Sequence, residues 1–98
     1  MQIELYHYSA IGDRPVNEDS LACGQIDPQN IFAVVCDGLG GHGGGRDASQ
    51  IAAAALTWDK PILPTEKELK TQLDTANREI IARRTNPRQM KTTVVALY

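Results

Sequence analysis

An α+β fold is what three stretches of this 98-residue chain predict. Residues 19–36 hold two β-rich runs around an Asp27-Pro28-Gln29-Asn30 turn. Two helical patterns follow in succession over residues 46–84. Residues 92–98, TTVVALY, then return to β-branched sequence.

Each element has its own signature. Residues 2–9 alternate Ile3, Leu5, Tyr6 and Tyr8 with polar residues and read as a strand. Gly12, Asp13 and Pro15 make residues 10–17 a loop. Residues 19–26 form a second strand, and Pro28 is preset for the second position of the turn after it. The continuous run IFAVVC, residues 31–36, suits a strand buried on both faces, so the two strands and their turn form an antiparallel hairpin. Residues 37–45 are too rich in glycine for a regular element. Helix is expected over 46–56, where alanines permit close packing and Ile51 and Leu56 lie on an apolar stripe. Pro61 and Pro64 break it. Thr65 followed by Glu68 is a capping box opening a second helix over 66–84, with Leu69, Leu73, Ala76, Ile80 and Ile81 as its apolar stripe. Asn86-Pro87 stops that helix.

Composition narrows the function. An apolar content of 42% and a charged content of 22% are those of a globular domain, and the length allows one domain at most. With a net charge of −2 there is no basic surplus for nucleic acid. Arg78, Arg83, Arg84, Arg88 and Lys91 crowd late in the chain and read as a solvated helix face. No run is long and apolar enough for a membrane span, and the N-terminus lacks the pattern of a secretory signal. Cys23 and Cys36 sit in strand-like runs without metal-type spacing, so buried free thiols and a cytoplasmic location are expected.

The polar residues suggest a chemistry. Hydrolysis of phosphate esters by hard metal ions needs carboxylates to hold the ions and a cation, best an arginine fork, to orient the phosphate. The chain offers Glu18 and Asp19 together, Arg14 four residues before Glu18, and Asp37 at the end of an apolar strand. The glycines after Asp37 let metal, water and substrate approach the backbone.

Arg14-Pro-Val-Asn17-Glu18-Asp19, then Phe32-Ala-Val-Val-Cys-Asp37-Gly38-Leu39-Gly40-Gly41-His42, then Thr92-Thr93-Val-Val together resemble the PPM (type 2C) family of metal-dependent Ser/Thr protein phosphatases, in its bacterial form. The resemblance covers nearly the whole chain. It implies two Mn²⁺ or Mg²⁺ ions, with Glu18 and Asp37 as metal ligands, Asp37 bridging, and the backbone carbonyl of Gly38 completing one site. Arg14 would bind the substrate phosphate, and Asp19 would orient metal waters. The implied reaction is hydrolysis of phosphoserine or phosphothreonine in a protein substrate of a Ser/Thr kinase, by a metal-activated water. The implied fold is an α-β-β-α sandwich of two antiparallel sheets packed face to face with helices outside. On that basis residues 1–98 would be the N-terminal part of a single domain, with further metal-binding aspartates in a C-terminal half. Alone, the fragment would be inactive and would expose strand edges that favour self-association. Two departures from the family pattern stand out. Leu39 occupies the position where some relatives carry a histidine, so His42 inherits no proton-donating role, and Lys91 replaces the glycine that usually opens the third motif.

Other classes fit less well. Gly38 to Gly43 is literally G-x-G-x-x-G, the dinucleotide fingerprint. Asp37 would set a negative charge beside the pyrophosphate, and WDKPILP stands where the next strand should begin. A P-loop is excluded because no G-K-[ST] follows. The alternative kept is a catalytically inactive pseudophosphatase that binds a phosphoprotein as an interaction module.

Overall fold

The computed structural model describes residues 18–40, 43–84 and 90–98. The strand expected over 2–9, the loop over 10–17 and the Asn86-Pro87 stop lie outside the described residues. The described residues form an α+β fold: one four-stranded antiparallel sheet carrying two helices.

Strand β1 (Asp19–Asp27) and strand β2 (Asn30–Leu39) make the expected hairpin. Asp27 closes its turn, accepting from the Gln29 backbone N–H at 2.8 Å and from the Asn30 side chain at 2.9 and 2.8 Å. Those donors, the Gln29 N–H first, hold the Asp27 carboxyl below its ordinary pKa. β3 (Lys91–Thr92) and β4 (Val95–Leu97) lie on the other flank of β2. Gly38 pairs with Thr92 and Val35 with Val95, so both segments keep a single register and form in effect the strand expected over 92–98.

Helix α1 (Gly44–Leu56) packs on the sheet, and helix α2 (Glu66–Arg83) packs on α1. Alternation puts Phe32, Val34 and Cys36 on the helix side of β2, in one core with Ile26, Ala52, Ala53, Leu56 and Trp58. Tyr98 stacks on Phe32 with centroids 6.1 Å apart, and its hydroxyl donates to the Leu56 carbonyl at 2.6 Å. A second cluster of Ala48, Ile51, Ile80 and Met90 joins the helices to the start of β3. Arg84 secures that junction with Nε and a terminal nitrogen donating to the Met90 carbonyl at 3.1 and 2.9 Å. The Thr65–Glu68 capping box forms as expected.

Several expectations change. The run 31–36 is buried on one face only, because Val35 points away from the helices and is 48% exposed. β2 does not stop at Cys36 but continues through Asp37 and Gly38 to Leu39, because β1 pairs with Asp37 and β3 supplies partners for Gly38 and Leu39. α1 begins at Gly44, inside the glycine run expected to be irregular. Only Ala76 and Ile80 of the α2 stripe are buried, whereas Leu73 and Ile81 are 45% and 52% exposed, since α1 covers one narrow strip of α2. Cys36 is buried, and desolvation raises its thiol pKa, but Cys23 faces out from β1 and is exposed.

Candidate functional site

Cross-strand register decides which of the polar residues meet. Asp19 pairs with Asp37 across β1 and β2. Directly opposite residues in an antiparallel pair share a face, with Cβ atoms about 4.5–5.5 Å apart. On the other flank Thr93 meets Asp37: the Thr93 N–H donates to the Asp37 carbonyl at 2.9 Å, and the Asp37 N–H donates to Thr93 Oγ1 at 3.3 Å. Asp19, Asp37 and Thr93 therefore form one row across the sheet, on the face turned away from the helices. Asp19 and Asp37 are both exposed. All three sequence motifs thus contribute to one end of one sheet.

Glu18 lies one step along, so its side chain takes the opposite, helix-facing side. It is 7% exposed. The Gly38 N–H donates to the Glu18 carbonyl at 3.1 Å. The first turn of α1 presses against the same spot. A Cβ on Gly38 would lie 1.9 Å from the Gly45 carbonyl oxygen and 2.6 Å from that of Glu18. A Cβ on Gly45 would lie 2.7 Å from the Leu39 nitrogen and 2.8 Å from the Glu18 carboxyl carbon. Both positions must be glycine for helix and strand to approach this closely. Gly43, at φ 78, turns the chain into that helix through the left-handed region. The Glu18 carboxyl consequently sits at the N-terminal end of α1, where the helix dipole favours negative charge.

The site residues read from sequence thus separate. Asp37, Asp19 and the Gly38 backbone gather at one sheet end, and Glu18 occupies the opposite face. Arg14 and His42 lie outside the described residues. Among the described residues, no three His, Cys, Asp or Glu side chains gather closely enough to hold a metal ion. Asp19 and Asp37 suit a hard ion in kind, being oxygen donors on one accessible face, but a six-coordinate ion needs more oxygens than this pair offers. Sequence reasoning passed over two residues that shape the site. Gly45 was one glycine in a run, and Thr93 was part of a motif without a stated contact. The signal available for Gly45 was a glycine just inside a helix start, where a weak helix former needs a packing reason.

Ser20 Oγ and Ser49 Oγ are 2.8 Å apart, tying β1 to α1 one residue from Asp19. The buried Ser49 hydroxyl also donates to the Arg46 carbonyl at 3.0 Å. No protein-family model, curated protein or solved structure matches the chain.

Proposed function

We propose that this chain supplies the first carboxylates of a divalent-metal centre that hydrolyses phosphoserine and phosphothreonine in proteins. The observation that carries the reading is the row Asp19–Asp37–Thr93, which draws on three separated motifs. Two carboxylates on one accessible face at a sheet end supply oxygen donors of the kind that Mn²⁺ or Mg²⁺ takes. In this reading Asp37 and the Gly38 backbone carbonyl would help to hold the ions and Asp19 would orient water near Asp37, while the Glu18 carboxyl, turned to the helix-facing side, is not among the ligands that this arrangement offers. The ions, when bound, would activate a water for attack on phosphorus and neutralise charge on the phosphoryl oxygens. Arg14 would hold the substrate phosphate through its fork. The remaining ligands must come from beyond the described residues.

The same reading implies a second sheet over the outer face, making the α-β-β-α sandwich. Its support is the apolar surface beyond the acidic row, where Val35, Val95 and Leu97 are exposed together. The interaction-module alternative draws support from the missing third ligand among the described residues.

The test is Mn²⁺-dependent hydrolysis of a phosphoaryl ester, by the chain alone and by the chain with whatever its gene encodes after Tyr98. Turnover in either form that disappears in Asp37→Asn supports the enzyme. Metal binding and phosphopeptide binding without turnover in both forms would favour the module.

A further inference from the structure

The rung that joins Asp37 to Thr93 is irregular. Gly38 pairs with Thr92 and Val35 with Val95, so one register runs through Asp37 and Thr93. Strand geometry nevertheless lapses at Thr93 and Val94, between β3 and β4. In a regular hydrogen-bonded pair of antiparallel strands the two residues exchange both backbone bonds. At this rung the Thr93 N–H donates to the Asp37 carbonyl at 2.9 Å. The Asp37 N–H goes instead to the Thr93 side chain, where Oγ1 accepts at 3.3 Å. The same oxygen lies 3.4 Å from the Asp37 carbonyl, within reach of its own proton. The Thr93 carbonyl, which would accept from Asp37 in a regular pair, accepts from the Thr92 hydroxyl at 2.9 Å.

A side chain thus stands in for backbone at the rung that continues the Asp19–Asp37 pair. The residues on either side of Asp37 have no such latitude. Cys36 is fully buried, and Gly38 is wedged against Gly45 with its N–H on the Glu18 carbonyl. Asp37 is therefore held between two fixed neighbours, and the Thr93 hydroxyl is the contact that sets the tilt of its peptide. Irregular rungs of this kind re-aim a side chain, and they are over-represented beside active sites. Strand formation alone does not call for the hydroxyl. The position is exposed, and a β-branched valine would suit the strand as well, as it does at Val95 two residues on.

Resting on the phosphatase reading above, we propose that Thr93 is a positioning residue whose hydroxyl aims the Asp37 carboxylate over the outer end of the sheet. It acts through Asp37 and touches no reacting atom. Without the hydroxyl the Asp37 N–H loses its acceptor, the peptide can rotate, and the carboxylate leaves its line. The core is unaffected, because Thr93 packs at an exposed sheet end.

Thr93→Val keeps the β-branched shape and removes the hydroxyl, and Thr93→Ser brings it back. Both are made in the form of the chain in which Asp37→Asn abolishes turnover of the phosphoaryl ester. Amide exchange at the Asp37 N–H is followed alongside, without metal or substrate. In Thr93→Val, kcat is expected to fall roughly tenfold with KM within about twofold. The Asp37 N–H should exchange faster, at an unfolding midpoint close to that of the parent chain. Thr93→Ser should recover both kcat and protection. Unchanged kcat or unchanged exchange in Thr93→Val overturns the proposal and leaves the phosphatase reading intact. Thr93→Ser no better than Thr93→Val also overturns it, since shape and not the hydroxyl would then matter. A loss confined to KM overturns it as well, by making Thr93 a substrate contact. Turnover absent from every form of the chain, or surviving Asp37→Asn, overturns both readings.

Discussion

At the scale of single residues, the site is governed by where a side chain can be afforded at all. Gly38 and Gly45 touch backbone to backbone, so an added methyl at either meets atoms that cannot rotate away. Gly38→Ala is expected to cost about 3 kcal/mol, the upper end of overpacking penalties, and urea unfolding would read it as a lower midpoint at unchanged slope. A wild-type midpoint would mean that α1 and β2 do not approach as described. Asp37→Asn acts differently. It acts at an exposed position, so the fold should keep its stability while, on the proposed metal reading, Mn²⁺ affinity falls, as titration calorimetry would measure. Unchanged affinity would remove Asp37 from the proposed metal site. How much of this was legible follows from the same residues. Asp37 and Asp19 could be read as metal-type carboxylates from their setting in the sequence. That they face one another, and that Glu18 turns away, depends on a strand register that residue types alone do not dictate.

At the scale of elements, α2 was the most readable, because its start is decided locally. Thr65 Oγ1 accepts from the Glu68 N–H at 3.1 Å, and the Thr65 N–H donates to Glu68 Oε1 at 3.0 Å. Thr65→Ala should destabilise the chain by about 1 kcal/mol, and a loss of helicity confined to α2 in amide exchange would confirm the cap. The Thr65 backbone N–H, more than any other group, holds the Glu68 carboxyl below its ordinary pKa. A carboxyl depressed in the folded state stabilises above its unfolded pKa, and the contribution is lost as pH falls through the folded one. The cost of Glu68→Gln should accordingly shrink in acid; a constant difference down to low pH would refute the linkage. Strand ends were less legible. β2 runs past Asp37, the last residue paired with β1, because β3 returns from more than fifty residues away to pair with Gly38 and Leu39. Propensity carries no trace of that distant partner, and the glycine run reads as loop until the partner is known.

At the scale of the whole molecule, the described residues are thin. They measure 48 × 32 × 14 Å with a radius of gyration of 14.4 Å, against about 13 Å for an ordinary domain of this length. Helices cover one side of the sheet. The other carries Val35, Leu39, Val95 and Leu97 at 48%, 62%, 69% and 64% exposure. In sequence, a strand buried on both faces was expected at 31–36, and the residue types there do fit two covered faces; a covering layer on the outer side is what the described residues do not contain. Apolar sheet faces of this kind drive association when left open. The chain of 98 residues should therefore self-associate at micromolar concentration in sedimentation velocity, and Val95→Lys with Leu97→Lys should return it to monomer while leaving the far-UV dichroism unchanged. Val94 and Tyr98, which pack against the helix-side core, are left in place, so the double substitution tests the outer face alone. Association that persists unchanged would shift the contact elsewhere, with the flank of β1 that pairs with no strand among the described residues as the next surface to test. The same pair of lysines has the opposite meaning in a longer chain whose second sheet covers this face. There the charges would be buried, and the substitutions would lower the unfolding midpoint instead of the association state. Two constructions of one surface change thus separate an open face that merely aggregates from one shaped to receive the rest of a sandwich.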